Sequence, residues 1–88
     1  MELSVNKDPD QDAYYIAYDH YTVDNAIARR LGIPCEDFER ILTNYGAFYH
    51  IERRSWDLYG HYYFNSKEEA EKVVEILEPY LIMKKLTE

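Results

Sequence analysis

Apolar residues in this chain come in runs no longer than a short strand, such as Tyr14–Tyr18 and Tyr80–Met83. A bilayer-spanning helix needs about 20 such residues in succession, so no membrane span is expected. The chain must instead build a core from short amphipathic elements. With 88 residues it has room for one such core and not for two. Hydrophobic residues make up 47% and aromatics 16%, enough to bury surface and fold. Cys35 is the only cysteine, which excludes an intrachain disulfide and a thiolate metal cluster as staples. The opening Met1-Glu2-Leu3-Ser4-Val5-Asn6-Lys7 lacks the basic flank, apolar stretch and cleavage site of a secretory signal, so the cytoplasm is the default location.

Residues 1–12 read as a flexible acidic leader, because Asn6-Lys7-Asp8-Pro9-Asp10-Gln11-Asp12 is polar and interrupted by proline. Residues 13–88 read as a single α+β domain. From Ala13 to Tyr21 the chain alternates, with Tyr14, Ile16 and Tyr18 on one side, which is strand chemistry. Thr22 offers an N-cap and Asp24 suits the positive end of a helix on which Val23, Ala26, Ile27 and Leu31 share a face. Gly32 stops that helix, Pro34 opens another, and Phe38, Ile41, Leu42 and Tyr45 mark its buried side up to Gly46.

Ala47–Trp56 and His61–Asn65 read as a hairpin with Asp57–Gly60 as its loop, which sets Trp56 opposite His61. In that register Ile51, Arg53, Tyr62 and Phe64 share one face, and Arg54, Trp56, His61 and Tyr63 the other. Ser66-Lys67-Glu68-Glu69 is a capping box that launches a helix with Ala70, Val73, Val74 and Leu77 on one side. Pro79 is expected to end it, leaving Tyr80–Met83 as a last strand with a basic end. The order βα(α)ββαβ predicts a ferredoxin-like sheet with helices on one face. A winged-helix-like arrangement, with separate helices and the hairpin as wing, is the alternative.

Seventeen acidic against ten basic residues give a net charge of −7, which repels phosphate backbones and favours basic partners. The charge is uneven: residues 1–28 carry six acids and one lysine, residues 29–54 five arginines and four acids, and residues 55–88 seven acids and four lysines, that is −5, +1 and −3.

Ala28-Arg29-Arg30-Leu31-Gly32-Ile33-Pro34-Cys35-Glu36-Asp37-Phe38-Glu39-Arg40-Ile41-Leu42 resembles the helix-turn-helix of bacterial and phage regulators, with a small residue facing the second helix and glycine at the turn. That resemblance implies DNA binding through Arg29, Arg40, Arg53 and Arg54, with the hairpin as a wing. The second helix departs from the pattern, since Glu36, Asp37 and Glu39 stand where a DNA reader offers cationic or amide side chains. Leu31-Gly32-Ile33 and the terminal Ser66-Lys67-Glu68-Glu69-Ala70 helix are also similar to short accessory proteins of phages and mobile elements. This likeness implies a protein that acts by binding a host or phage machine, as an anti-CRISPR or nucleic-acid-mimic inhibitor does.

The binding reading assigns Asp8, Asp10, Asp12, Glu36, Asp37 and Glu39 to a basic protein surface, with Trp56, Tyr59 and Tyr63 as aromatic anchors. Ten tyrosines in the chain suit an interface, since tyrosine supplies contact area at low entropy cost. No catalytic apparatus is expected: Cys35 has acids beside it and no histidine at a fixed spacing, and no metal-ligand motif or glycine-rich loop is present. The sequence therefore predicts no enzyme, cofactor or metal. A homodimer through an edge strand or the hairpin is compatible with either reading.

Overall fold

The computed structural model of the chain describes residues 3–54 and 57–87. Strand β1 (Leu3–Asp8) pairs antiparallel with β2 (Ala13–Tyr18), helices α1 (Asp24–Leu31) and α2 (Cys35–Asn44) follow, β3 (Phe48–Arg54) pairs antiparallel with β4 (Asp57–Tyr63), and α3 (Lys67–Thr87) closes the chain. The class is α+β. Its strands form two separate hairpins and not one ferredoxin-like sheet. A bridge joins them end to end, with Tyr14 N–H donating to Phe64 O at 2.9 Å and Phe64 N–H to Tyr14 O at 2.7 Å. The distinct helices and the hairpin after them are features of the winged-helix-like alternative, while the β1–β2 hairpin belongs to neither expectation.

The first correction concerns the leader, whose residues Leu3–Asp8 form β1. Leu3 pairs with Tyr18 and Val5 with Ile16, and Leu3 is only 7% exposed. The strand satisfies an edge of β2 that would otherwise present unpaired backbone groups. Asp8 stabilises the turn, its Oδ1 accepting the Asp10 N–H at 2.9 Å, and Lys7 and Asp12 close it with an ion pair at 3.2 Å.

The second correction concerns α3, which runs through Pro79 to Thr87 where a final strand was expected. Ala70, Val73, Leu77 and Leu81 are all buried, so the helical spacing of core residues continues past the proline. Burying Leu81 and keeping the hydrogen bonds of two further turns outweigh the roughly 3 kcal/mol a proline costs inside a helix. Pro79 itself sits on the exposed side.

The third correction is the hairpin register. Asp57–Gly60, expected as the loop, are the first residues of β4, and His61 pairs with His50. The shift is even, so Ile51 still shares a face with Tyr62, and His61 with Tyr63. At α1 the cap position is Val23 and not Thr22, with no side-chain cap bond, and Val23 is exposed.

The core lies where α1, α2 and α3 meet the strands. Ile27, Phe38, Leu42, Phe64, Val73 and Leu77 have fully buried side chains. Ala28 is buried too, and Gly32 at φ 74° lets Ile33 N–H return to Ala28 O at 2.9 Å, closing the turn between α1 and α2. No described helix is long and apolar enough to cross a membrane.

Candidate protein-binding surface

The side of α2 turned away from the core is carboxylate-rich because Phe38 and Leu42 spend the inward positions on packing. Glu36, Asp37 and Glu39 are all exposed. Glu36 and Asp37 lie in the first turn, where the helix dipole favours negative charge. Arg40 is exposed and its guanidinium pairs with Asp37 at 3.4 Å, so this arginine balances an acid of its own helix. Arg29 is exposed at the last turn of α1, while its neighbour Arg30 lies over the Tyr21 ring at 3.8 Å and donates to the Tyr21 hydroxyl.

Asp24 extends this surface towards the second hairpin. Its Oδ2 accepts the Tyr62 backbone N–H at 3.1 Å. Burial pushes its carboxyl up to about 6, an effect the Tyr62 N–H opposes and the Glu39 charge increases. Among the described residues no cation is paired with Asp24 or Glu39. The Tyr62 hydroxyl is raised above its ordinary value by burial first, then by the Glu39 and Asp24 charges and by Tyr49. Tyr62 meets Tyr49 edge to face with ring centroids 5.0 Å apart, and the Tyr49 ring crosses directly over Gly60, where a Cβ would collide with it. The result is a patch of carboxylates beside two tyrosines, a pairing that accepts guanidinium and ammonium groups.

The other proposed residues separate. Asp8 serves the β1–β2 hairpin, its Oδ2 accepting the Tyr63 hydroxyl at 3.0 Å, and Asp10 and Asp12 are exposed in the same turn. Tyr63, expected as an anchor, is only 6% exposed and is surrounded by the rings of Tyr15, Phe48, His50 and His61 at 6.0 to 6.3 Å. It packs the second hairpin against β2 and the β1–β2 turn, with little of its surface left exposed. Trp56 lies outside the described residues, and for Arg53, Arg54 and Tyr59 the description is limited to backbone register: Arg53 pairs with Leu58, Arg54 with Asp57 and Tyr59 with Glu52.

Three exposed apolar residues of β3 were not singled out from the sequence: Phe48, Tyr49 and Ile51, the last 58% exposed. The alternation of β3 marks two faces but does not say which one the domain covers. Cys35 is exposed and unpaired at the start of α2. No family model, curated protein or solved structure matches the chain.

Proposed function

We propose that the protein is a non-enzymatic binding module that occupies a basic groove of a partner protein in the cytoplasm, the mode of an anti-CRISPR or nucleic-acid-mimic inhibitor. The observation that carries this reading is the exposed row Glu36, Asp37 and Glu39 with the half-buried Asp24 beside it. Carboxylates at these positions stand as phosphates would and engage arginines and lysines through charge-assisted bonds. The exposed Tyr49 and Ile51, on the Tyr62 face of the β3–β4 hairpin, supply apolar contact next to that charge.

A helix-turn-helix regulator is the second reading, favoured by the α1–α2 pair closed at Gly32 and by the exposed Arg29. Against it, the outward side of α2 would bring carboxylates to phosphates.

Fluorescence anisotropy with a labelled arginine-rich peptide and a labelled DNA duplex, each at low and at physiological salt, separates the readings. The expected result is peptide binding that Asp37→Lys with Glu39→Lys weakens more than the equal charge change Glu68→Lys with Glu71→Lys, and no duplex binding. Duplex binding that survives physiological salt and falls in Arg29→Ala with Arg40→Ala overturns the proposal in favour of the DNA regulator.

A further inference from the structure

We propose that the open edge of β1 takes an extended peptide of a partner protein as an added strand, one with alternate apolar residues and a lysine or arginine, seated in the groove between β1 and α3. The pairing of β2 fixes which backbone groups β1 has on offer. Tyr14 exchanges both of its backbone bonds with Phe64, and Tyr18 both of its with Tyr21, so these groups point away from β1. Their cross-strand neighbours are Lys7 and Leu3, which makes these two the non-hydrogen-bonded pairs of the ladder, and by alternation Val5 with Ile16 is the third. The N–H and C=O of Leu3, Val5 and Lys7 therefore point away from β2. Among the described residues no backbone group of another element meets them.

An edge of this kind is a template for one class of ligand, an extended chain whose own N–H and C=O groups repeat at the same spacing. Lysine is a residue type that guards such edges, but the Lys7 side chain is drawn into the turn by its ion pair with Asp12 at 3.2 Å.

Beside the edge lies an open groove of about 350 Å³, with Leu3 and Val5 on one wall and Lys67, Glu71, Val74 and Glu75 on the other. Leu3 belongs to the core and Val5 and Val74 pack against it, which gives the groove an apolar floor. Lys67 and Glu71 pair with each other at 3.7 Å. Glu75 is exposed and, among the described residues, has no cation. Side chains alternate along a strand, so every second residue of the added strand enters the groove. An apolar one covers Val5 and Val74, and a cationic one two positions along meets Glu75. A second copy of this chain fits less well, because its net charge of −7 opposes its own approach and the lysine of its β1 is already held by Asp12. The surface shares no residue with the acidic row of α2.

Amide hydrogen exchange and proton–nitrogen correlation NMR on the full chain, with the end-blocked peptide Thr-Val-Thr-Val-Thr-Lys-Thr added up to about 1 mM, test this. The Val5 and Lys7 N–H groups should exchange about tenfold more slowly at ten times the Kd, while those of Ser4 and Asn6, already bonded to β2, change little. N-methylation of one alternate set of peptide amides should abolish binding, and methylation of the other set should leave it. Glutamate in place of the peptide lysine should weaken binding roughly threefold, and Glu75→Lys should reverse that preference. Val5→Pro removes an N–H from the open edge and none from the ladder with β2, so it should abolish binding with the unfolding midpoint nearly kept. The methylated peptides make the same test on the wild-type chain. Unchanged exchange at Val5 and Lys7 overturns the proposal, as does equal behaviour of the two methylated sets. Protection of the same amides in concentrated protein without peptide also overturns it, giving the edge to a second copy. Shifts confined to Glu36, Asp37 and Glu39 overturn it too, while leaving the α2 reading intact.

Discussion

The Asp24 carboxylate and the Tyr62 backbone N–H, 38 positions apart in sequence, meet at 3.1 Å and tie the first turn of α1 to the last residues of β4. This bond explains why an acid is retained at a half-buried position where its charge is costly. It also predicts how stability responds to pH. Because the folded carboxyl titrates at about 6, above the ordinary aspartate value, the folded state holds the proton more tightly than the unfolded chain between those values. The contribution of Asp24 is thus most favourable below pH 4 and is lost as pH rises through 6. Asp24→Asn keeps an acceptor for Tyr62 N–H without the charge. Urea denaturation at pH 4 and pH 7 should show the wild type losing on the order of 2 kcal/mol more than the variant over that interval. Parallel profiles would mean that Asp24 titrates normally.

Asp8→Ala and Asp10→Ala should differ, although both remove one carboxylate from the same turn. Asp8 accepts both the Tyr63 hydroxyl and the Asp10 N–H, so its loss removes two hydrogen bonds at once, one of them part-buried beside the aromatic cluster, and should cost about 1–3 kcal/mol. The exposed Asp10 should change stability by less than about 0.5 kcal/mol. Equal denaturation midpoints for the two variants would refute a structural role for Asp8.

Pro79→Ala should stabilise the protein. The position is exposed and helical, so alanine restores an N–H for the carbonyl one turn earlier and relieves the ring clash. A gain of about 1–3 kcal/mol in thermal or urea unfolding is expected, with no loss of helical ellipticity.

Gly46→Ala should destabilise by about 1–2 kcal/mol for two reasons that act together. Gly46 ends α2 at φ 94°, a conformation that alanine resists, and the Glu69 carboxylate occupies the space its Cβ would need. Glu69 is held there by Ser66, whose hydroxyl donates to Oε1 at 2.9 Å and accepts the Glu69 N–H at 3.2 Å. Adding Glu69→Ala to Gly46→Ala should recover the steric share but not the backbone share. A double mutant as unstable as the sum of both singles would contradict that partition.

Local chemistry was enough to place much of this architecture. The Ser66 capping box, the Gly32 and Gly46 stops and the Phe38–Leu42 spacing are interactions within a few residues, and they mark the start of α3, the C-terminal ends of α1 and α2 and the side of α2 left to its acids. The same reasoning put Glu36, Asp37 and Glu39 on the surface, where they lie.

The rest depended on partners distant in the chain. Leu3–Asp8 is a strand because β2 offers an edge, Tyr63 is buried because four rings gather round it, and α3 passes Pro79 because Leu81 finds the core. Asp24 drew attention in the sequence only as a helix-start acid, and its link to Tyr62 required the second hairpin to arrive beside α1. Composition and periodicity determine which elements can form and which residues are apolar enough to be covered. Which strand edge is paired, which hairpin face is left open and which acid loses water are set by the summed burial of the assembled chain, which no local window contains.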